Sequence, residues 1–190
     1  MSSIIACEIV ALETPKVIRD CPKCNKNTSF YCSDKFRVNA QQKHIDIWLI
    51  YKCVQCDSTW NCPILSRVRV HTINDELLHA FTNNDRETAW SYAFQIDRLR
   101  KICSSVDTNI KYKMVSGPIN LAHGDVTIRI SSPLKFDLRL DKLLTVLLGI
   151  SRSRLYRMAE CGGIETKPQG SIKQKIKGEL EVLVKAGIDM

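Results

Sequence analysis

Two pairs of cysteines carry the clearest chemical signal in this sequence. Each pair forms a Cys-x-x-Cys turn, one at Cys21 and Cys24 and the other at Cys53 and Cys56. Such a turn directs two sulfur atoms toward one point, and thiolate sulfur is a ligand that suits tetrahedral Zn²⁺. Four thiolates leave no coordination position open for water or substrate. The spacing therefore predicts a structural zinc site rather than a catalytic one.

The alternative interpretations of these cysteines are disulfides, a redox pair or ordinary buried thiols. The chain has nine cysteines, an odd number, and its first residues lack the basic segment and apolar run of a signal peptide. We therefore expect a reducing cytoplasm, where thiols bind metal more often than they cross-link. Cys32 and Cys62 are near enough in sequence to replace a missing ligand. Cys7, Cys103 and Cys161 are expected to be small core residues.

Strands are needed to position the two cysteine pairs. Apolar and polar side chains alternate over residues 30–38 and again over residues 45–51, which predicts two strands between the pairs. A turn at residues 39–43 would join them in a hairpin with one cysteine pair at each open end. Two more alternating runs, at residues 3–12 and 58–70, extend this antiparallel β region, which is similar to a zinc ribbon.

The middle of the chain changes to a helical pattern. Residues 75–81 and 85–103 have apolar side chains at helical spacing, and Asp85 is a credible N-cap because its carboxylate can accept free backbone amides. Residues 110–115 and 126–130 then alternate as two short strands, separated by glycine-containing turn signals. We expect these two strands to pair with each other.

The last part of the sequence is helical and basic. Leucines at residues 140–148 have the spacing of a buried helix face, Gly149 is suited to a left-handed C-cap, and Ser151 is suited to cap a second helix. Three arginines follow in the first turns of that helix, at residues 152, 154 and 157. Cations there oppose the helix dipole unless an anion compensates. The pattern therefore indicates a phosphate-binding surface.

This last block resembles the small RNA-binding domain named for ribosomal small-subunit protein four. The resemblance is carried by residues 139–144 (RLDKLL), 149–154 (GISRSR), 163–164 (GI) and 176–180 (IKGEL). It implies a helix pair followed by a strand hairpin, with basic residues that contact structured RNA. The RNA-binding candidates are Arg139, Lys142, Arg152, Arg154, Arg157 and Lys167.

The chain as a whole is similar to a bacterial family known only as domain of unknown function number one-zero-six-two. The similarity rests on the two Cys-x-x-Cys pairs, Trp48, the string WNCP at residues 60–63 and the basic end. Membership in that family implies no activity. It implies that the cysteine-rich region and the basic block belong to one architecture.

Together these patterns predict an α+β protein of three consecutive segments. They are a zinc-ribbon-like β region at 1–72, a helical segment with linking strands at 73–133, and a small α/β RNA-binding-like domain at 134–190. The net charge of +8 and pI near 9.1 favour a polyanionic partner. No apolar stretch approaches the roughly 20 residues that span a bilayer, so we expect no membrane partner.

Two classes of function are consistent with these features. The first is a non-enzymatic, zinc-containing protein that binds structured ribosomal or transfer RNA, with the β region adding Lys23, Lys26, Lys35, Arg37, Lys43 and Lys52. The alternative is a zinc-ribbon DNA-binding or protein-interaction scaffold without RNA binding. An enzyme is the weakest hypothesis, because the sequence has no HExxH, P-loop or GxSxG motif. The remaining possibility for an enzyme is a reactive thiol of lowered pKa at Cys32 or Cys62.

Overall fold

Two compact units make up the protein. The computed structural model describes residues 3–121, 124–134, 137–176 and 178–187. One unit contains residues 14–110, and the other contains residues 1–13 together with 111–190. We call them the ribbon unit and the basic unit. The ribbon unit is thus inserted into the sequence of the basic unit.

The described residues form ten strands and five α-helices, which confirms the α+β class. The strands are β1 (Ser3–Ala11), β2 (Lys16–Cys21), β3 (Lys26–Gln41), β4 (His44–Cys53), β5 (Thr59–Arg69), β6 (Ser105–Asp107), β7 (Tyr112–Ser116), β8 (Val126–Ser132), β9 (Ile164–Lys167) and β10 (Gly178–Val184). The helices are α1 (Asp75–Thr82), α2 (Arg86–Ala93), α3 (Ile96–Arg100), α4 (Leu140–Leu148) and α5 (Arg152–Glu160). Among the described residues, no helix combines the length and apolar character needed to cross a bilayer.

An antiparallel five-stranded sheet, in the order β5-β4-β3-β2-β6, forms the ribbon unit. The predicted hairpin is confirmed as β3 and β4, and because Gln41 pairs with His44 its turn is only two residues long. Gln42 takes the left-handed conformation in this turn, with φ of 53°. A bulge between Cys32 and Phe36 interrupts the pairing of β3 with β4.

Three short helices cover the buried side of this sheet. Their Phe81, Ala89 and Leu99 join the same apolar core as the sheet residues Leu49 and Tyr51. The capping role of Asp85 is confirmed, since its side chain accepts a 2.7 Å hydrogen bond from the Thr88 amide. The predicted continuous helix over residues 85–103 is wrong, because α2 ends at Ala93 and α3 begins at Ile96. No glycine or proline marks this break.

The sheet of the basic unit is mixed and has the order β7-β1-β8-β10-β9. Strand β1 runs parallel to β8 and antiparallel to β7. The predicted pairing of the strands at residues 110–115 and 126–130 is therefore wrong, because β1 lies between them. This placement buries Cys7 and Ile9 of β1, which are 0% and 1% exposed.

The two units do not follow the three consecutive segments expected from the sequence. Strand β1 lies in the basic unit rather than with the cysteine pairs, because its described partners are β7 and β8. The middle segment is divided at residues 110 and 111 for the same reason: its helices pack on the ribbon sheet, whereas β7 and β8 hydrogen-bond to β1.

A helix pair and an antiparallel strand pair follow β8. Gly149 ends α4 in the left-handed conformation, with φ of 63°. Ser151 caps α5, since its hydroxyl accepts a 3.2 Å hydrogen bond from the Arg154 amide. Strands β9 and β10 then pair with each other, and β10 also pairs with β8. Residue 177, within the string at 176–180, lies outside the described residues.

Candidate metal centre and basic cluster

Each Cys-x-x-Cys turn joins two neighbouring antiparallel strands of the ribbon sheet. The first turn follows β2 and the second follows β4, and the two have matching backbone geometry. The Asn25 amide donates to the Cys21 carbonyl at 2.8 Å, and the Asp57 amide donates to the Cys53 carbonyl at 3.0 Å. Asn25 and Asp57 have φ of 53° and 57°, a left-handed conformation that Asn and Asp tolerate better than most residues.

The four predicted ligands come together at these turns. Their sulfur atoms all lie within 4.8 Å of one another, with Cys21 Sγ 3.5 Å from Cys56 Sγ and Cys24 Sγ 3.9 Å from Cys53 Sγ. A Zn–S distance of about 2.3 Å gives a tetrahedron with edges of about 3.8 Å. The group can thus hold a tetrahedral metal ion with little rearrangement. Cys32 and Cys62 are not members of this group.

Two hydroxyl groups contact the sulfur atoms, and neither was predicted from the sequence. Ser58 Oγ lies 3.2 Å from Cys21 Sγ and 3.1 Å from Cys56 Sγ, so it bridges the two turns. Thr28 Oγ1 lies 3.1 Å from Cys53 Sγ. These contacts restrict the positions of three of the four sulfur atoms, as outer-shell partners of metal ligands commonly do.

Proton affinities differ among the thiols of the group. The hydrogen bond from Ser58 is the main cause that lowers the pKa of Cys21 to about 6. Burial acts to raise the pKa of Cys53, but hydrogen bonds from Thr28 and nearby amides outweigh it and lower that pKa. The pKa of Cys24 rises to about 12, because it hydrogen-bonds to Cys56 and is desolvated. Four thiolates this close would repel one another, and a soft divalent cation would compensate their charge.

The remaining cysteines differ from the group in their environment. Burial raises the pKa of Cys32 to about 12 and that of Cys62 to about 11, which is opposite to the shift that activates a thiol nucleophile. Cys7 is a core residue as expected and Cys103 is half-buried. The prediction of a core position for Cys161 is wrong, because this residue follows the last turn of α5 and is exposed.

The basic residues expected to line the ribbon are mostly exposed. Five of them, Lys23, Lys26, Lys35, Arg37 and Lys43, are exposed to solvent. Lys52 instead forms a 2.9 Å ion pair with Asp57, directly beside the second cysteine turn. This pair, together with Tyr31, which donates to Asp57 at 2.9 Å, lowers the pKa of the Asp57 carboxyl.

A second cluster in the basic unit is centred on one buried carboxylate. Asp141, at the start of α4, is 0% exposed and accepts two hydrogen bonds from the Arg139 guanidinium, at 3.0 and 2.7 Å. Tyr156 of α5 donates its hydroxyl to Asp141 at 2.6 Å, and Arg152 Nε lies 3.8 Å from the same carboxylate. Lys173 Nζ lies 5.1 Å from the Tyr156 ring centroid. We call these five residues the Asp141 cluster.

The carboxylate of this cluster remains ionised. Burial acts to raise the pKa of Asp141, but hydrogen bonds from Tyr156, Arg139 and the Lys142 amide outweigh burial and lower it. Asp141 in turn raises the pKa values of Arg139 and Tyr156, since it accepts hydrogen bonds from both. The arginines at the start of α5 were expected to need an external anion. Asp141 supplies part of that negative charge, since it lies 3.8 Å from Arg152.

Among the described residues, the contacts at Asp141 bring together two of the six predicted RNA-binding residues. Arg139 and Arg152 meet at Asp141, while Lys142, Arg154, Arg157 and Lys167 are exposed elsewhere on α4, α5 and β9. Asp141, Tyr156 and Lys173 were missed. Asp141 lies inside the string that carries the family resemblance, but an acidic residue in a sequence gives no sign of complete burial.

Comparisons with known proteins identify the chain only at the level of a family. No curated protein and no solved structure matches it significantly. The resemblance of the last block to an RNA-binding domain therefore has no independent match. The family described as "Protein of unknown function (DUF1062)" matches residues 38–169, which is more than half of the chain. The protein belongs to this family, as the cysteine pairs and the strings around the tryptophans predicted.

Proposed function

We propose that this protein is a non-enzymatic, zinc-containing RNA-binding protein. Its basic unit would contact structured RNA, of the ribosomal or transfer class, through α4 and α5. The observation that carries this proposal is the Asp141 cluster, in which a buried carboxylate orients two arginines at the surface of the helix pair.

The Asp141 cluster has an excess of positive charge. Arg139, Arg152 and Lys173 contribute three cations, and Asp141 contributes one anion. The side chains of Arg139 and Arg152 are 49% and 60% exposed, so each can reach a phosphate while it faces Asp141. A guanidinium group binds phosphate through two parallel N–H donors, which gives both affinity and orientation.

The cluster is also held in place before any ligand binds. Arg139 is fixed by two hydrogen bonds to a fully buried group, and Tyr156 ties α5 to α4 through the same carboxylate. Side chains that are already ordered lose less conformational entropy on binding. Structured RNA presents phosphates at fixed positions, so a rigid set of cations suits it better than it suits a flexible strand.

Exposed cations extend the surface along α5. Arg154 and Arg157 are exposed, while Leu155 and Met158 of the same helix are buried. The buried residues fix the rotation of the helix and so determine which side the arginines occupy. The resemblance of this block to a ribosomal RNA-binding domain favours RNA over DNA as the polyanion.

We assign the metal as structural Zn²⁺ held by the four grouped cysteines. When bound, zinc would cross-link the β2–β3 and β4–β5 turns through four thiolates. The distances between the sulfur atoms and the absence of a position for water in a four-thiolate site support a structural role. The neutral, buried thiols of Cys32 and Cys62 support a protein without thiol-dependent catalysis.

A binding assay with charge-matched variants tests the RNA proposal. Fluorescence anisotropy would compare transfer RNA, ribosomal RNA fragments and duplex DNA over a salt series. Replacing Arg152 and Arg154 with Ala should weaken RNA binding about tenfold or more and reduce the salt slope by about 2. The control replaces Arg86 and Arg100, which are exposed in the ribbon unit, and has the same net charge.

Equal losses in the two double variants would show that binding reflects net charge rather than the helix pair. Stronger binding to duplex DNA, or no binding by the native protein, would favour the DNA-binding or scaffold alternative. Crosslinking in cells followed by sequencing, with the Arg152 and Arg154 double variant as control, would then identify the RNA.

A further inference from the structure

Three buried donor atoms in the ribbon unit have no hydrogen-bond partner among the described residues. They are Arg19 Nη1 on β2, Tyr51 Oη on β4 and Arg98 Nε on α3. Tyr51 is 0% exposed, so its hydroxyl does not lie at the protein surface. A buried donor that is left unpaired costs about 1–3 kcal/mol, and more when it is charged. Three such atoms in one unit require an explanation.

The three donors belong to one neighbourhood, because they share contacts with β5. The Arg19 guanidinium lies 4.2 Å from the Trp60 ring centroid, and the Tyr51 ring lies 5.5 Å from the same tryptophan. Arg98 reaches β5 through a 2.6 Å hydrogen bond from Nη1 to the Pro63 carbonyl. Both guanidinium groups are near enough to Cys62 to act on its pKa, and Arg98 acts likewise on Tyr51, so the three donors lie in one neighbourhood.

No described side chain supplies an anion to these two arginines. Neither Arg19 nor Arg98 takes part in an ion pair among the described residues, and the adjacent Asp97 lies 3.7 Å from Arg100 instead. Cys62 is a candidate inside the core: Arg98 hydrogen-bonds to its side chain, and both guanidinium groups act to lower its pKa. Burial nevertheless raises that pKa to about 11, so the thiol is neutral at pH 7. The positive charge therefore lacks an internal partner.

We infer that Arg19, Tyr51 and Arg98 form a binding site for an oxyanion, the carboxylate or phosphate group of a small molecule. Arg98 already donates from Nη1 to the Pro63 carbonyl and from Nη2 to the Tyr92 carbonyl. The donors left for such a group are therefore Arg98 Nε, Arg19 Nη1 and the Tyr51 hydroxyl. Trp60 and Arg19 are only half-buried, which places the edge of the site at solvent. The stacked faces of Trp60 and Arg19 would pack against the rest of the ligand. This site lies in the ribbon unit and does not depend on RNA binding.

The site lies beside the four-cysteine group. Arg19 precedes Cys21 by two residues on β2, and Tyr51 precedes Cys53 by two residues on β4. Side chains two residues apart in a strand share a face and are separated by about 7 Å. A metal ion that fixes the ends of β2 and β4 therefore also fixes the separation of Arg19 and Tyr51. Zinc-loaded protein is the appropriate form for the test.

The test is calorimetric titration of the full zinc-loaded chain with inorganic phosphate and, separately, with acetate. Sodium chloride at equal ionic strength controls for general screening. We expect saturable binding of at least one oxyanion, and the stronger of the two identifies phosphate or carboxylate as the recognised group. Tyr51→Phe keeps the ring and removes only the donor, so this variant should fold and lose about tenfold or more in affinity. Arg19→Gln should lose at least as much.

Arg37→Gln is the matched control, since Arg37 also lies over a tryptophan of this sheet, 5.8 Å from the Trp48 ring centroid, but is exposed. Its affinity should equal that of the native chain. Three results would overturn the proposal: no saturable binding of either anion, unchanged affinity in Tyr51→Phe, or an equal loss in Arg37→Gln. Each would mean that these donors do not form an oxyanion site.

Discussion

The four-cysteine group and the Asp141 cluster differ in the sign of their excess charge. The cysteine group concentrates up to four negative charges within 4.8 Å and contains no cation of its own. The Asp141 cluster surrounds one buried negative charge with Arg139, Arg152 and Lys173. The first arrangement is incomplete without an ion from solution. In the second arrangement the negative charge is already balanced, and exposed cationic side chains remain at the surface.

We therefore relate the four-cysteine group to stability and the Asp141 cluster to recognition of a partner. A metal bound to the cysteine group would contribute to folding, since no preformed site exists in an unfolded chain. The internal ion pairs of the Asp141 cluster fix side chains whose outer surfaces remain available. We therefore expect the ribbon unit to depend on metal, and the basic unit to depend on Asp141.

Cys53→Ser should have the largest effect. Structural zinc sites contribute apparent binding free energies of about 10–16 kcal/mol, so loss of one thiolate should release the metal and unfold the ribbon unit. Metal analysis and circular dichroism would measure both changes. Cys161→Ser, at an exposed cysteine outside the group, should keep full metal content and structure. A folded Cys53→Ser protein with full metal content would remove Cys53 from the ligands.

Asp141→Asn should destabilise the basic unit by about 2–4 kcal/mol, because the buried carboxylate is replaced by a neutral amide that accepts more weakly from Arg139 and Tyr156. The folded-state pKa of Asp141 is lowered from 3.8, so its contribution is full above that pH and is lost as pH falls through the folded value. Urea unfolding of the native chain and the variant would measure the difference between their free energies of unfolding. We expect this difference to be smaller at acidic than at neutral pH. Asp97→Asn, at a 98% exposed carboxyl, should change little.

Ser58→Ala should weaken metal binding about tenfold without unfolding the protein. The hydroxyl bridges Cys21 and Cys56, and removal of an outer-shell partner typically costs 10–100-fold in metal affinity, about 1.4–2.7 kcal/mol. Competition with a chromophoric chelator measures this change. The exposed Ser66→Ala is the control. Equal affinities in the two variants would show that the hydroxyl contributes nothing to the site.

Gly149→Ala should have the smallest effect, about 1 kcal/mol of destabilisation. The residue has φ of 63°, where alanine is strained, yet an added Cβ would meet no atom within 4 Å. The cost is thus conformational rather than steric. Thermal unfolding would measure it, and we expect metal content to stay unchanged, since Gly149 lies in the basic unit.

Features that depend on local sequence could be predicted. The β3–β4 hairpin, the caps at Asp85, Gly149 and Ser151, and the ligand spacing each depend on a few neighbouring residues. A cap or a two-cysteine turn is determined by bonds within about four residues, so its signal survives in the sequence alone.

Features that depend on distant partners could not be predicted. Residues 3–12 were correctly read as a strand, but nothing in an alternating pattern says which strands will flank it, so β1 was assigned to the wrong part of the fold. Ser58 and Tyr156 have ordinary surroundings in sequence, and their roles arise from partners that folding brings close. The DUF1062 match leaves these roles to be tested, because the family has no described function.

The insertion of the ribbon unit has a consequence for synthesis on the ribosome. Strand β1 is made first, but its described partners β7 and β8 emerge only after the whole ribbon unit. If the ribbon unit folds first, it shortens the flexible chain that must close before β1 can pair, and loop closure becomes less costly. Folding of the ribbon unit is the step that zinc controls in our proposal. A shortage of zinc during translation should therefore delay assembly of the basic unit, which has no metal ligand of its own among these four cysteines.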